Sequence, residues 1–224
     1  RLEQIAANAN FRDLADFFGS VTYLHLVPQL LKFAEKMGGQ RLEDDPFGQG
    51  FLERIAKTTE KTRTARLNKI SKALMLAVPQ FKELRFVKDE LGHPHLEALY
   101  SHHRPNAGWQ SEEHFSDGTL RMLGLLWTLL DGNSLLLLEE PEISLNDAIV
   151  NEIPLILHRL QRDKKIKRQI MLSTHSEALL SNPGIDGRGV VVLETGSQGS
   201  VGRKLAVDES RALEAGLSVA EVVL

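Results

Sequence analysis

Two glutamates side by side at the end of an apolar run carry the clearest chemical signal in the chain. Leu135-Leu136-Leu137-Leu138 leads directly into Glu139-Glu140-Pro141-Glu142. Such a run reads as a buried strand. In a parallel sheet, ligands gather beyond the carboxyl ends of the strands, where both acids would emerge. Adjacent carboxylates beside apolar residues are costly unless a cation or a reacting group uses them. Such a pair can divide the chemistry, one carboxylate holding a hydrated Mg²⁺ and the next orienting or deprotonating an attacking water. A buried strand that simply exits into an acidic, solvated loop fits the same letters equally well.

Two further groups fall in line with that pair. Ile170-Met171-Leu172-Ser173 is a second apolar strand, and His175 stands two residues beyond its end, where an imidazole can reach a terminal phosphate. Ser173, Thr174 and Ser176 also suit the start of a helix with no ligand at all. Upstream, Phe115-Ser116-Asp117-Gly118-Thr119 precedes an apolar helical stretch. Small and polar residues at a helix N-terminus leave N–H groups free for an anion, and Ser116 or Asp117 also serves as an ordinary N-cap.

The elements that must position these residues can be read from the pattern. Leu2 to Phe18 has a loose helical period, Val21 to Val27 is β-rich, and Pro28 opens a short helix toward Met37. After the glycines 38–39 and a loop at 44–48, Phe51 to Val78 is helical with a break near Thr58-Thr59. Leu84 to Lys88 and Leu96 to Tyr100 form a hairpin around Glu90-Leu91-Gly92. A helix from Thr119 to Leu130 precedes the acid-tipped strand, and another spans Leu145 to Arg162, closed by the polar residues 162–165. Strands follow at Gln169 to Ser173, Gly189 to Leu193 and Gly202 to Val207, and Ser210 to Leu224 is a helical tail. Strands alternating with helices predict a parallel α/β sheet. The expected divisions are a mainly helical subdomain with short strands over 1–110, an α/β lobe over 111–207 and a helical tail over 208–224.

Composition narrows the possibilities. The 224 residues are 42% hydrophobic and 25% charged, which argues against a disordered chain. With 27 basic and 30 acidic residues the net charge is −3, so bulk charge gives no affinity for nucleic acid. There is no cysteine, which excludes disulfides, thiolate metal sites and a cysteine nucleophile, and a reducing, cytoplasmic setting is expected. No apolar run is long enough to span a bilayer. The opening Arg-Leu-Glu-Gln is no signal peptide, and a longer protein extending upstream is expected.

Taken together, loop, helix, acid-tipped strand, helix and histidine-tipped strand follow one another within Phe115 to Ser176. That order resembles the C-terminal half of an ABC-type ATPase head. Phe115 to Thr119 resembles the signature loop, Leu135 to Glu140 the Walker B strand, Ser144-Leu145-Asn146 the D-loop and His175 the switch histidine of the H-loop. The wordings Ser116 to Arg121, Glu139 to Glu142 and Ser173 to Ser176 are similar to the bacterial predicted AAA/ABC ATPases. These are relatives of chromosome-maintenance and recombination-repair heads and of ATPases in phage defence. The ending Leu213 to Ser218 is similar as well.

The resemblance implies the C-terminal lobe of a P-loop NTPase that binds ATP and Mg²⁺ and dimerises around nucleotide. It implies Glu139 as the metal-side acid, Glu140 and His175 as catalytic residues, and Ser116, Asp117, Gly118 and Thr119 as the nucleotide-contacting loop. DNA, or an effector nuclease or toxin subunit, is the implied partner, and no membrane is. Two departures stand out. Glu139 replaces the more usual Asp, as is common in this branch. No Gly-x-x-x-x-Gly-Lys-Ser/Thr occurs, and the glycine-rich run 196–204 has the wrong spacing and suits a turn between strands.

Several weaker features admit their own readings. Lys57, Lys61, Arg63, Arg66, Lys69 and Lys72 can follow a phosphate backbone or form a solvated helix face. His93 and His95, with His102 and His103, have some metal-ligand geometry but no evident third ligand. Trp127 is expected in the core and Trp109 in a loop over apolar surface. The competing functions are the ATPase part of an overcoming-lysogenisation-defect-type nuclease and a non-hydrolysing regulatory scaffold. Val190 to Gly196 offers only a faint echo of the nuclease's metal-binding start.

Overall fold

The computed structural model describes residues 11–33, 45–101, 108–162, 168–197 and 199–224. The expected helix residues 2–10, the glycines 38–39, the histidines at 102 and 103 and the polar residues 163–165 lie outside the described residues.

The fold grows around one helix. α5 (Asp117–Leu130) is buried at every residue from Gly118 to Leu130 except Arg121, as a helix apolar on all sides must be. Its start is fixed by Ser116, whose hydroxyl accepts the Thr119 N–H at 3.1 Å. Trp127 is 1% exposed, meets Phe51 edge-on with ring centroids 6.4 Å apart, and lies under the Arg66 guanidinium.

Against α5 lies a parallel sheet that, among the described residues, has three strands in the order β1 (Thr22–Leu24), β5 (Leu136–Glu139), β6 (Ile170–Ser173). The register sets Leu24 beside Leu138 and Leu138 beside Leu172. β5 is the central strand, and Leu136 and Leu138 are buried. β6 is less covered than a core strand: Ile170 and Leu172 pack on the core, but Met171 is 55% exposed. α6 (Asp147–Arg162) crosses over between β5 and β6 and buries Val150, Ile153, Ile156 and Leu160, a helical stripe. A parallel pair requires such a crossover.

The other elements form a second layer. α1 (Arg12–Ser20) precedes β1, α2 (Pro28–Lys32) follows it with Pro28 in its first turn, and α3 (Phe51–Lys57) and α4 (Glu60–Ala77) are separated at Thr58-Thr59. An antiparallel sheet pairs β2 (Phe81–Lys88) with β3 (Pro94–Tyr100) and β3 with β4 (Trp109–Ser111). Trp109 is therefore a strand residue, not the expected loop residue, and the Arg85 guanidinium stacks 3.9 Å from its ring centroid. Both sheets draw on residues on either side of position 110: β1 joins β5, and β4 runs from 109 to 111.

After α7 (Glu177–Leu180), β7 (Val191–Gly196) and β8 (Gly199–Lys204) pair, among the described residues, only with each other. The last two predicted strands thus form an antiparallel ribbon and do not extend the parallel sheet. The predicted tail is two helices, α8 (Val207–Glu214) and α9 (Val219–Val223), interrupted at Gly216, whose φ is +102°.

One buried charge locks the frame. Arg168 is 3% exposed and donates to the carbonyls of Thr128 and Ser134, the latter at 2.5 Å, tying the end of α5 to the approaches of β5 and β6.

Candidate functional site

The carboxyl ends of β5 and β6 are level with one another. Glu139 is in register with Ser173, and the Glu140 N–H donates to the Ser173 carbonyl at 3.0 Å, extending the pairing one residue past the strand. Beyond that point Glu140 leaves the strand with φ of +40°, and Ser144 follows at +68°. The turn sends the Glu140 side chain toward the neighbouring loop, where its Oε1 lies 2.7 Å from His175 Nδ1. Glu140 is half-buried at 34% and His175 exposed at 79%, so packing does not hold the imidazole and the pair adds little to stability. A carboxylate and an imidazole joined at the ligand edge of a parallel sheet can hold a water and contact an anion.

Glu139 faces β1. Its carboxylate accepts a hydrogen bond from the Tyr23 hydroxyl, and His25 Nδ1 is 3.8 Å from its Oε2. That hydrogen bond raises the Tyr23 pKa, with burial and the carboxylate's charge adding to it, so the phenol stays protonated as the donor. Sequence reasoning did not connect these residues, because 116 positions separate Tyr23 from Glu139 and only strand pairing brings them together. Among the described residues no three metal-ligating side chains cluster. His93 Nδ1 is 3.0 Å from Asp89, and His95 Nδ1 is 2.7 Å from the buried Glu112, so both rings are engaged in hydrogen bonds.

The loop before α5 is tied to its own surroundings. Ser116 is the N-cap, and its Oγ is also 2.8 Å from Thr119 Oγ1. The Asp117 carboxylate accepts from Lys32 Nζ and Gln29 Nε2, each at 3.0 Å, which anchors α2 to the start of α5. Gly118 has no room for a side chain. A Cβ there would lie 2.8 Å from the Ser144 carbonyl oxygen and 2.9 Å from Leu145 Cδ2. This contact seats the predicted signature loop on the turn that follows Glu140. Among the described residues no hydrogen bond joins Ser116, Asp117, Gly118 or Thr119 to Glu139, Glu140 or His175. The structure therefore brings the predicted residues together as two neighbouring groups.

The basic stretch is divided in its roles. Arg63 donates to the Ala56 and Thr58 carbonyls, closing the end of α3, and Arg66 pairs with Asp131 at 2.7 Å. Lys57, Lys61, Lys69 and Lys72 are exposed.

Comparison with known proteins decides the family. A profile described as "AAA domain, putative AbiEii toxin, Type IV TA system" matches residues 10–181. The chain belongs to this AAA domain family. Among curated proteins, none matches the chain. Solved structures similar to this AAA domain include SMC ATPases and Smc heads. One comes from work on ATP-driven dimerisation and DNA-stimulated activation of SMC ATPases, with TM-score 0.50, 13% identity, and 74% of this chain and 93% of that one covered. An Smc head bound to the C-terminal winged-helix domain of ScpA gives TM-score 0.53 and 13% identity, covering 82% and 55%. The Pyrococcus yayanosii Smc head with a coiled coil and joint gives 0.51 and 16%, covering 69% and 29%. The chain thus spans just over half of the second structure and under a third of the third. The fold is that of a P-loop NTPase of the ABC-head type, as the order of motifs predicts. No helix among the described residues is long and apolar enough to cross a membrane.

Proposed function

We propose that this AAA domain supplies the water-activating side of an ATP site in a nucleotide-dependent dimeric switch, with the phosphate-cradling loop contributed from outside residues 1–224. The observation that carries the reading is the Glu140–His175 pair, 2.7 Å apart beyond two adjacent parallel strands. Glu140 acts as the base or orienter for the attacking water, and His175 holds that carboxylate in place while its other ring nitrogen meets the terminal phosphate. Glu139 stands on the metal side. A single half-exposed carboxylate suits Mg²⁺, which keeps most of its waters and is held largely by substrate phosphates. When bound, the ion supplies charge neutralisation at the phosphate oxygens.

The loop from Ser116 to Thr119 serves the nucleotide of a second subunit. Ser116 is exposed at the N-terminus of a fourteen-residue helix, where a dipole favours an anion. Asp117, held by Lys32 and Gln29, fixes that loop, and Gly118 seats it on the turn after Glu140. A two-fold dimer then builds two equivalent sites. The switch acts in DNA maintenance or phage defence, on DNA or on an effector nuclease or toxin subunit.

A mixing experiment on the full-length protein tests the shared site. Ser116→Arg and Glu140→Gln each abolish turnover as homodimers, the second with ATP binding retained. In mixed dimers one of two sites is rebuilt, so roughly a quarter of wild-type activity returns on random pairing of independent sites. Normal turnover by the Ser116→Arg homodimer would refute the arrangement.

A further inference from the structure

Glu142 is the acid in the Glu139 to Glu142 string that the proposed ATP site leaves unused, and it is the most buried of the three. It is 8% exposed, whereas Glu139 is exposed and Glu140 half-buried. Its Oε1 accepts a hydrogen bond from the Thr174 hydroxyl, and its Oε2 is buried with no hydrogen-bond partner among the described residues. The Thr174 hydroxyl in turn accepts the Ser176 N–H at 3.0 Å. His175 lies between those two residues, so the loop that carries it is closed on one side by Thr174 and Ser176. The turn that carries Glu140 is closed by the Ile143 N–H to the Glu140 carbonyl at 3.1 Å and the Leu145 N–H to the Glu142 carbonyl at 2.9 Å. Besides the Glu140–His175 contact itself, the Glu142–Thr174 bond joins these two small closed units through side chains.

We propose that Glu142 is a positioning residue, which through Thr174 sets His175 at its distance from Glu140. The inference deepens the ATP-site reading and rests on it for its catalytic consequence. His175 is exposed and Glu140 only half-buried, so packing does not fix the pair, and their separation is set by the backbones that bear them. Burying a carboxylate is costly, and one good hydrogen bond to it is worth keeping only where the ordered loop has a use.

The test uses the full-length protein and two readouts: steady-state ATP turnover, and hydrogen exchange of the Ser176 amide followed by NMR. Thr174→Val removes the hydroxyl at nearly constant volume. It lowers kcat about tenfold with KM for ATP within about twofold, and Ser176 exchanges up to about tenfold faster, the scale of one lost hydrogen bond. Thr174→Ser restores both readouts. Glu142→Leu matches Thr174→Val, Glu142→Gln keeps most of the wild-type kcat because its amide oxygen still accepts, and the double variant is no worse than the poorer single one. Wild-type kcat and wild-type Ser176 protection in Glu142→Leu would overturn the proposal. So would a loss in Thr174→Val that Thr174→Ser leaves unrepaired. If Glu140→Gln leaves turnover untouched, the ATP-site reading fails instead, and the Ser176 exchange in Glu142→Leu still decides whether Glu142 holds the loop.

Discussion

Arg168→Met removes a buried guanidinium while keeping much of its apolar stem. In the wild type, Nη1 donates to the Thr128 carbonyl and Nε to the Ser134 carbonyl at 2.5 Å, with longer approaches to the Asp131 carbonyl at 3.5 Å and Ser134 Oγ at 3.3 Å. Two of these are good charge-assisted bonds, each worth roughly 1.5–3 kcal/mol. The guanidinium's own desolvation offsets part of that sum. Burial is also what lowers the Arg168 pKa, against the opposing charge of Asp131. The expected net loss is about 3 kcal/mol. For a protein of this size each kcal/mol moves Tm by about 2–4 °C, so the fall should be about 6–12 °C. Arg168→Lys should recover less than half of it, since one ammonium cannot reproduce the planar fork that reaches two carbonyls. Differential scanning calorimetry reads all three proteins directly. A shift below about 2 °C for Arg168→Met would mean that water satisfies those carbonyls as well as the arginine does, and the clamp argument would be wrong.

Gly118→Ala should destabilise by about 1–3 kcal/mol in urea titrations, because the new methyl meets the Ser144 carbonyl, and an unchanged midpoint would contradict that close approach. His95 gives a pH effect of definite sign. Burial lowers its pKa, but the hydrogen bond and charge of Glu112, with Asp89 and Glu113, outweigh this, and the net shift is upward. Stability from a raised folded-state value is fully present below the ordinary histidine value of about pH 6.5 and lost as pH climbs on through the raised one. Thermal melts from pH 6 to 8 should show the loss, and His95→Gln should flatten it; a rise in stability over that range would contradict the assignment. Finally, Glu140→Gly should be more stable than Glu140→Ala by about 1 kcal/mol, because only glycine occupies a left-handed φ without penalty. Equal melting temperatures for the two would count against it.

The parts of the fold legible in the sequence are those whose signal is local. Four leucines ending in acids, the break at Thr58-Thr59 and the hairpin around Gly92 are written in adjacent residues, and the structure has a strand, two helices and a hairpin there. What was not legible depends on partners far along the chain. β4 is only three residues long and carries no period of its own; it exists because β3 offers it an edge. The ribbon of β7 and β8 looks like two more strands of the main sheet until pairing is known. The same holds at the site. The acids and His175 announce themselves, but the Tyr23 bond to Glu139, the Lys32 hold on Asp117 and the Thr174 bond to Glu142 each cross 32 residues or more. Residue type and spacing reveal the candidates for chemistry, while the residues that fix them lie elsewhere in the chain.

The left-handed turn at Glu140 has a consequence for anyone who edits this protein. A procedure that ranks residues by folding free energy alone will favour glycine at position 140. That change is a move toward a sturdier molecule and away from the proposed chemistry. The short string that follows β5 is thus a region where foldability and activity pull in opposite directions. Sequence optimisation applied to this domain should hold residues 139–142 and 174–176 fixed and look for its gains at the exposed positions of α4 and α8.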